Sequence, residues 1–152
     1  MRNADDKSDI YSDVYCLNVI KKQLHKAENL PYALAAGTST FVNPYFFIFG
    51  GDDASTFHQV EDLIGQINRE LDDIKRDSLI NVKNKLQHNH PGFKPTVWSL
   101  NTEKNEWTEW GNMAGESVVT TTAIFHQQKI YIPSGEKKAG IRSNQILVGT
   151  LN

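Results

Sequence analysis

Two residues with complementary chemistry stand six positions apart near the end of the chain. They are Glu136 and Arg142, within Gly-Glu-Lys-Lys-Ala-Gly-Ile-Arg-Ser-Asn over 135–144. A carboxyl group can take or give a proton, and a guanidinium offers a planar fork that fits a carboxylate in bidentate fashion. Together they can hold an acidic ligand and move a proton on it. Apolar runs flank the segment, Ile-Tyr-Ile at 130–132 and Ile-Leu-Val at 146–148. Residues 129–148 therefore read as strand, loop, strand. From spacing alone the plainer reading of Glu136 and Arg142 is an exposed salt bridge, contributing at most ~1 kcal/mol.

Other residue types that carry chemistry are weaker candidates. Asp52 and Asp53 follow Gly50-Gly51 and could face a ligand, although turn and cap roles suit them better. His58 falls on the first turn of an expected helix, and His126 lies in a turn between strands. His88-Asn-His90 suggests a metal pair, but the following Pro-Gly-Phe adds no ligand and a solvated loop is expected. Cys16 is the single cysteine, so no internal disulfide can form. Within Val-Tyr-Cys-Leu-Asn-Val-Ile it is expected to be a buried, inert thiol.

A chain of 152 residues normally forms one domain with a real core. The net charge of −2 gives no electrostatic footprint for nucleic acid or an anionic membrane surface. No apolar run reaches the ~18 residues of a membrane-crossing helix. The polar, acidic start, MRNADDKSDIYSD, does not read as a signal peptide.

The elements that must position the acid and the guanidinium are mostly strands. Residues 1–12 read as an irregular lead. Strands are expected over 13–19, 24–29, 35–42, 45–49, 96–100, 107–110, 118–125, 130–132 and 146–148, about nine in all. The run Tyr-Phe-Phe-Ile-Phe at 45–49 should be buried on both faces. Between 52 and 90 the pattern becomes helical: Val60, Leu63, Ile64, Ile67, Leu71 and Ile74 recur at helical spacing. Thr56 and Gln59 form a T-x-x-Q capping box, and Asp77-Ser78 is the expected interruption. The charged opposite face makes this an amphipathic insert of 56–90 laid on a β surface.

The strands repeat. AAGTSTFVNPYFFIFGGDD (35–53) parallels VVTTTAIFHQQKIYIPSGEKK (118–138), and DVYCLNVIKKQLHKAENLP (13–31) parallels TVWSLNTEKNEWTEWGNMA (96–114). A third partial copy, NQILVGTLN, covers 144–152. Strand, strand ending in a glycine doublet, aromatic strand and Trp-bearing strand is the kelch pattern, one four-stranded propeller blade per repeat. The doublet is Gly50-Gly51 in one copy and Ser134-Gly135 in the next; the signature position holds Trp107 in one and Leu24 in the other. The expected architecture is all-β with a helical insert, an incomplete kelch β-propeller of about two blades. Residues 13–31 give the last strands of one blade, 32–114 a full blade with the insert, and 115–152 a partial blade, within a single domain. Two blades cannot close a ring, so the aromatic-rich edges favour self-association or a longer propeller of which this is a C-terminal part.

FFIFGGDD, the helical insert, GFKPTVWSLNTEKNEWTEWG and IYIPSGEKKAGIRSNQILV together resemble the bacterial kelch-type sialic acid (N-acetylneuraminate) mutarotases, or epimerases. The resemblance runs from about Asp13 onward and is tightest over 93–148. The G-E-x-x-x-G-x-R-[ST]-[ND] loop is matched by Gly135, Glu136, Gly140, Arg142, Ser143 and Asn144. Its place near the end of the chain is similar to the cyclically permuted branch of the family. The resemblance implies a six-bladed propeller with its site at the channel mouth. It also implies an isomerase that interconverts the α and β anomers of sialic acid.

By the same resemblance Glu136 and Arg142 are the catalytic residues. Arg142 also binds the substrate carboxylate, and the substrate is sialic acid or a related keto sugar acid. The resemblance calls for no metal, nucleotide or redox cofactor, and the compartment, periplasmic or cytoplasmic, stays open. Two other readings remain: a non-catalytic kelch interaction module and an inactive propeller fragment.

Overall fold

The computed structural model describes residues 7–151. Residues 1–6 of the expected lead, and Asn152 of the third repeat copy, lie outside the described residues. The chain separates into two compact units. Among the described residues, one holds Ala54–Pro91 with residues 7–10; the other holds Tyr11–Asp53 with residues 92–151.

In the β unit, four strands form one antiparallel sheet: β3 (Thr38–Val42), β4 (Tyr45–Phe49), β5 (Thr96–Asn101) and β6 (Glu106–Asn112), in the order β3-β4-β5-β6. Strand β4 has five consecutive apolar residues because it is central. Only Phe47 and Phe49, on one face, are fully buried; Phe46 and Ile48 on the other are half-buried. Trp110 packs on Phe47 with ring centroids 5.6 Å apart and donates its indole N–H to the hydroxyl of fully buried Ser99 at 2.8 Å. That bond gives the buried Ser99 hydroxyl a partner. The β5–β6 turn is set by Asn101, whose side-chain oxygen accepts the N–H groups of Glu103 and Lys104, each at 3.0 Å.

Two strands, β1 (Tyr15–Asn18) and β2 (Gln23–Lys26), form a separate hairpin. It is tied to the β5–β6 turn by Trp107, which donates to the Glu28 carbonyl at 2.8 Å, and by Asn105, which accepts the Glu28 N–H at 2.9 Å. A third sheet has the order β11-β8-β7, from β7 (Ile124–His126), β8 (Lys129–Pro133) and β11 (Ile146–Thr150). Gln127 and Gln128 both have positive φ, 46° and 61°, the two-residue hairpin turn whose twist matches the strands. The core is one cluster of Phe47, Phe49, Val118, Ala123, Ile130 and Ile132. Beside it lies an apolar cleft of about 320 Å³ lined by Trp110, Met113, Leu147 and Leu151 among others.

Four strand expectations change. The strand expected over 118–125 is confined to Ile124–His126, because Val119 bridges to Glu136 and Thr120 turns the backbone at φ 51°. His126 therefore belongs to a strand. The 133–145 segment is itself a hairpin, β9 (Glu136–Lys138) with β10 (Ile141–Arg142), which raises the count among the described residues from nine to eleven. Cys16 is exposed rather than buried, because among the described residues no further strand lies beside the β1–β2 hairpin, and all eight of its strand residues are exposed.

The helical unit holds α1 (Ser55–Arg69) and α2 (Asp73–His88). The expected capping box does not form. The N-cap is Ala54, at φ 62°, without a side-chain cap, and the Gln59 amide donates to the Ser55 carbonyl at 3.0 Å. The break falls at residues 70–72 rather than at Asp77-Ser78. Asp72 caps α2 by accepting the Lys75 N–H at 3.1 Å, and Arg76 clasps the Glu70 carbonyl at 3.1 and 3.2 Å. Leu71, expected on the apolar face, lies within that break, and Ile74, also expected there, on the first turn after it; they are 91% and 84% exposed. Glu61 is buried and accepts both the N–H and the hydroxyl of Ser8, at 3.0 and 2.7 Å.

Candidate active site

Strand β8 ends at Pro133, and the chain then runs through two left-handed residues, Ser134 (φ 55°) and Gly135 (φ 108°). A Cβ on Gly135 would come 2.8 Å from the Val118 Cβ and 2.9 Å from the Val119 carbonyl oxygen. Glycine is therefore required both by conformation and by the close passage of residues 118–121. Glu136 follows at once and exchanges both backbone hydrogen bonds with Val119, each at 2.9 Å. The base of the hairpin is closed by Ser134, whose hydroxyl donates to the Ser143 carbonyl at 2.7 Å, and by the Ser143 N–H, which donates to the Gly135 carbonyl at 2.8 Å.

In the β9–β10 ladder Arg142 lies directly opposite Glu136. Opposed residues in an antiparallel pair project to the same face. The register shifts between Ile141 and Arg142, so β9 carries one extra residue at the hairpin. One Glu136 carboxylate oxygen accepts the Gly140 N–H, and the Arg142 guanidinium donates to the Thr120 carbonyl at 3.4 Å. Glu136 is half-buried and Arg142 is exposed. The two side chains form no ion pair with each other, so the salt bridge that spacing alone suggests is not made. A carboxylate held by its own turn beside an exposed guanidinium with one long hydrogen bond suits an acidic ligand placed between them.

Two ion pairs lie in the same β unit. Lys137 meets Glu116 at 2.8 Å, and the lysine's hydrogen bond holds the Glu116 carboxyl below its ordinary value. Lys94 meets Asp53 at 2.8 Å, and the hydrogen bond it donates to that carboxylate raises the pKa of the lysine. Asp53 thus serves a structural ion pair. His58 lies on α1 with its ring Nε2 2.9 Å from the Ser8 carbonyl. His90 is buried rather than solvated, and its N–H donates to the Gln87 carbonyl at 3.2 Å, at the end of α2. Among the described residues no three His, Cys, Asp or Glu side chains gather as a metal site.

The apolar cleft shares no residue with the β9–β10 hairpin. It is the seam between two sheets, lined by core side chains, and has no titratable group among its lining. Thr120 is the residue at the hairpin that sequence reasoning missed. Neither it nor its repeat counterpart Ala36 is of a type that signals the positive φ, 51° and 57°, that both take.

No family model matches the chain. It is 25% identical over 148 residues to N-acetylneuraminate epimerase 1 of Escherichia coli, covering 94% of this chain and 38% of that protein. It is 22% identical over 146 residues to an N-acetylneuraminate epimerase of Salmonella enteritidis, covering 95% of this chain and 37% of that one. The chain therefore spans well under half the length of the curated relatives it matches. Among solved structures, YjhT superposes with a TM-score of 0.75 and 14% identity, over 100% of this chain and 46% of its own. The fold is a partial β-propeller, all-β apart from the two helices, and its similarity in sequence is to proteins named N-acetylneuraminate epimerase.

Proposed function

We propose that the chain carries the acid-and-arginine hairpin of a sialic acid mutarotase, an isomerase that interconverts the α and β anomers of N-acetylneuraminate. The observation that carries this reading is the register of Glu136 against Arg142 on one hairpin face, with no ion pair between them. Mutarotation opens a cyclic hemiketal and recloses it on the other face. A proton leaves the anomeric hydroxyl as another reaches the ring oxygen. In this reading Glu136 handles one of these protons, and Arg142 forks the carboxylate next to the anomeric carbon, fixing the reacting centre. The names of the relatives supply the sugar acid.

The reading places this chain within a six-bladed kelch ring whose remaining blades complete the channel wall. It treats 13–31, 32–114 and 115–152 as successive pieces of blades in one propeller. The test is anomer exchange of N-acetylneuraminate followed by NMR with the 152-residue chain and with Arg142→Ala. Acceleration by the parent that disappears in the variant supports the role. Equal acceleration by both would remove Arg142 from the chemistry, and acceleration by neither would favour a non-catalytic module.

A further inference from the structure

One group in the reaction has no residue assigned to it: if Glu136 handles one proton, a second acid or base must handle the other. The internal repeat supplies a candidate. Ala35 and Val119, Ala36 and Thr120, Gly50 and Ser134, Gly51 and Gly135, and Asp52 and Glu136 are related by one constant offset along the chain. The backbone follows that offset. Asp52 exchanges both hydrogen bonds with Ala35, at 2.9 and 2.8 Å, as Glu136 does with Val119. Gly50 and Gly51 take φ of 65° and 125°, against 55° and 108° for Ser134 and Gly135. Asp52 is thus presented from its blade as Glu136 is from the next, at the exit of the equivalent strand.

The two positions are also tied together. The Thr120 N–H donates to the Ala36 carbonyl at 3.1 Å, which joins the two bridges side by side. The carbonyl of the same Thr120 accepts the Arg142 guanidinium. Asp52, Ala35-Ala36, Val119-Thr120 and Glu136 therefore form one hydrogen-bonded belt across neighbouring blades, with Arg142 attached where they meet. Asp52 is half-buried, and it belongs to the same compact unit as Glu136.

We infer that Asp52 is the second proton-transferring carboxyl of the Glu136–Arg142 site, an inference that rests on the mutarotase reading. One carboxylate takes the proton of the anomeric hydroxyl while the other, protonated, gives its proton to the ring oxygen. The ring C–O bond breaks to leave the open-chain ketone. On reclosure to the opposite face the two carboxyls exchange roles, and no proton, electron or atom is gained or lost. Two carboxyls flanking one centre serve such acid–base work when one is ionised and the other is not.

The experiment measures anomer exchange of N-acetylneuraminate by NMR for the parent chain, Asp52→Asn, Asp52→Glu and Arg142→Ala, with circular dichroism as the check on folding. The expected result is that Asp52→Asn loses at least about 100-fold of the acceleration. Asp52→Glu should keep part of it with a displaced pH profile, and binding of the sugar acid should persist in both. Should Asp52→Asn not fold, Asp52→Ser takes its place and the same loss is expected. A folded neutral variant with parental rates overturns the assignment of Asp52 while Arg142→Ala still reports on the site. A parent chain with no acceleration, or Arg142→Ala with unchanged rates, overturns the mutarotase reading and this inference with it.

Discussion

Glu136 and Arg142 are direct partners across the β9–β10 ladder, yet each bonds to backbone rather than to the other: Glu136 to the Gly140 N–H and Arg142 to the Thr120 carbonyl. A neutralised pair would offer a ligand little net attraction. A carboxylate held by its own turn and a guanidinium resting on one long hydrogen bond leave both groups able to engage a third partner.

The guanidinium's geometry is the first thing to vary. Arg142→Lys keeps the charge but loses the planar fork. Under the mutarotase reading, exchange should slow by about 10- to 100-fold, the value of one hydrogen bond to a charged group. Glu136→Gln keeps the shape and removes the titrating group, so it should lower the rate more than it weakens sugar-acid binding. NMR exchange rates and a binding titration separate the two effects. A lysine variant with parental rates would show that charge alone suffices.

Gly135 tests the frame beneath the site. Its positive φ and the 2.8 Å approach to the Val118 Cβ leave no room for a side chain. Gly135→Ala should cost roughly 2–4 kcal/mol, combining backbone strain with a clash in the core. The readout is the denaturant midpoint. Gly140→Ala, where nothing lies within 4 Å but φ is also positive, should cost only about 1 kcal/mol. Equal costs at the two positions would deny the close packing of residues 118–121 on Gly135.

Two ion pairs set opposite pH dependences. Glu116 is held below its ordinary value of 4.5 by Lys137. A depressed carboxyl contributes stability above its unfolded value and loses it as pH falls through the folded one. Melting temperatures of the parent and Glu116→Gln should therefore differ near neutrality and converge in acid. Lys94 is raised above 10.5, chiefly by its hydrogen bond to Asp53. Its contribution is present below that value and disappears as pH rises through the raised one. Lys94→Met should differ from the parent at neutral pH and converge only in strong alkali. Both pairs are solvent-accessible, so 1 M salt should shrink both differences.

Much of the fold was legible because its signals are local. The Tyr45–Phe49 run, the Gly50-Gly51 doublet and the Trp107 position each mark a propeller strand, and the repeat doubles every mark. The helix boundaries were less legible. Thr56 and Gln59 carry a capping box on paper, but the chain enters α1 through a left-handed Ala54, and Thr56 is buried. Cys16 lies in a strand with the sequence of a covered strand, yet among the described residues nothing pairs beside the β1–β2 hairpin. At the site, motif and spacing marked Glu136 and Arg142, but their register could not be read: residues 133–145 form a hairpin whose turn depends on Gly140, not on an apolar pattern. The Thr120 contact is non-local and left no trace in the neighbouring sequence.

The edges of the β unit carry the last prediction. Among the described residues strand β11 pairs only with β8, and Ile146 and Val148 on it are 61% and 54% exposed. The β1–β2 hairpin exposes Tyr15, Leu17 and Leu24 in the same manner. An uncovered strand with apolar side chains is a template for pairing with another chain. Solutions of the 152-residue chain should therefore associate, with the mass measured by light scattering rising above one chain as concentration increases. Lysines at both β11 positions, Ile146→Lys with Val148→Lys, place charge on that edge and should move the rise to higher concentration. Because both side chains are exposed, the double variant should keep the parent's circular dichroism spectrum, which separates lost association from lost folding. A mass of one chain at every concentration would show that the edges are protected by twist or by the flanking loops, and that the partial propeller stands alone in solution.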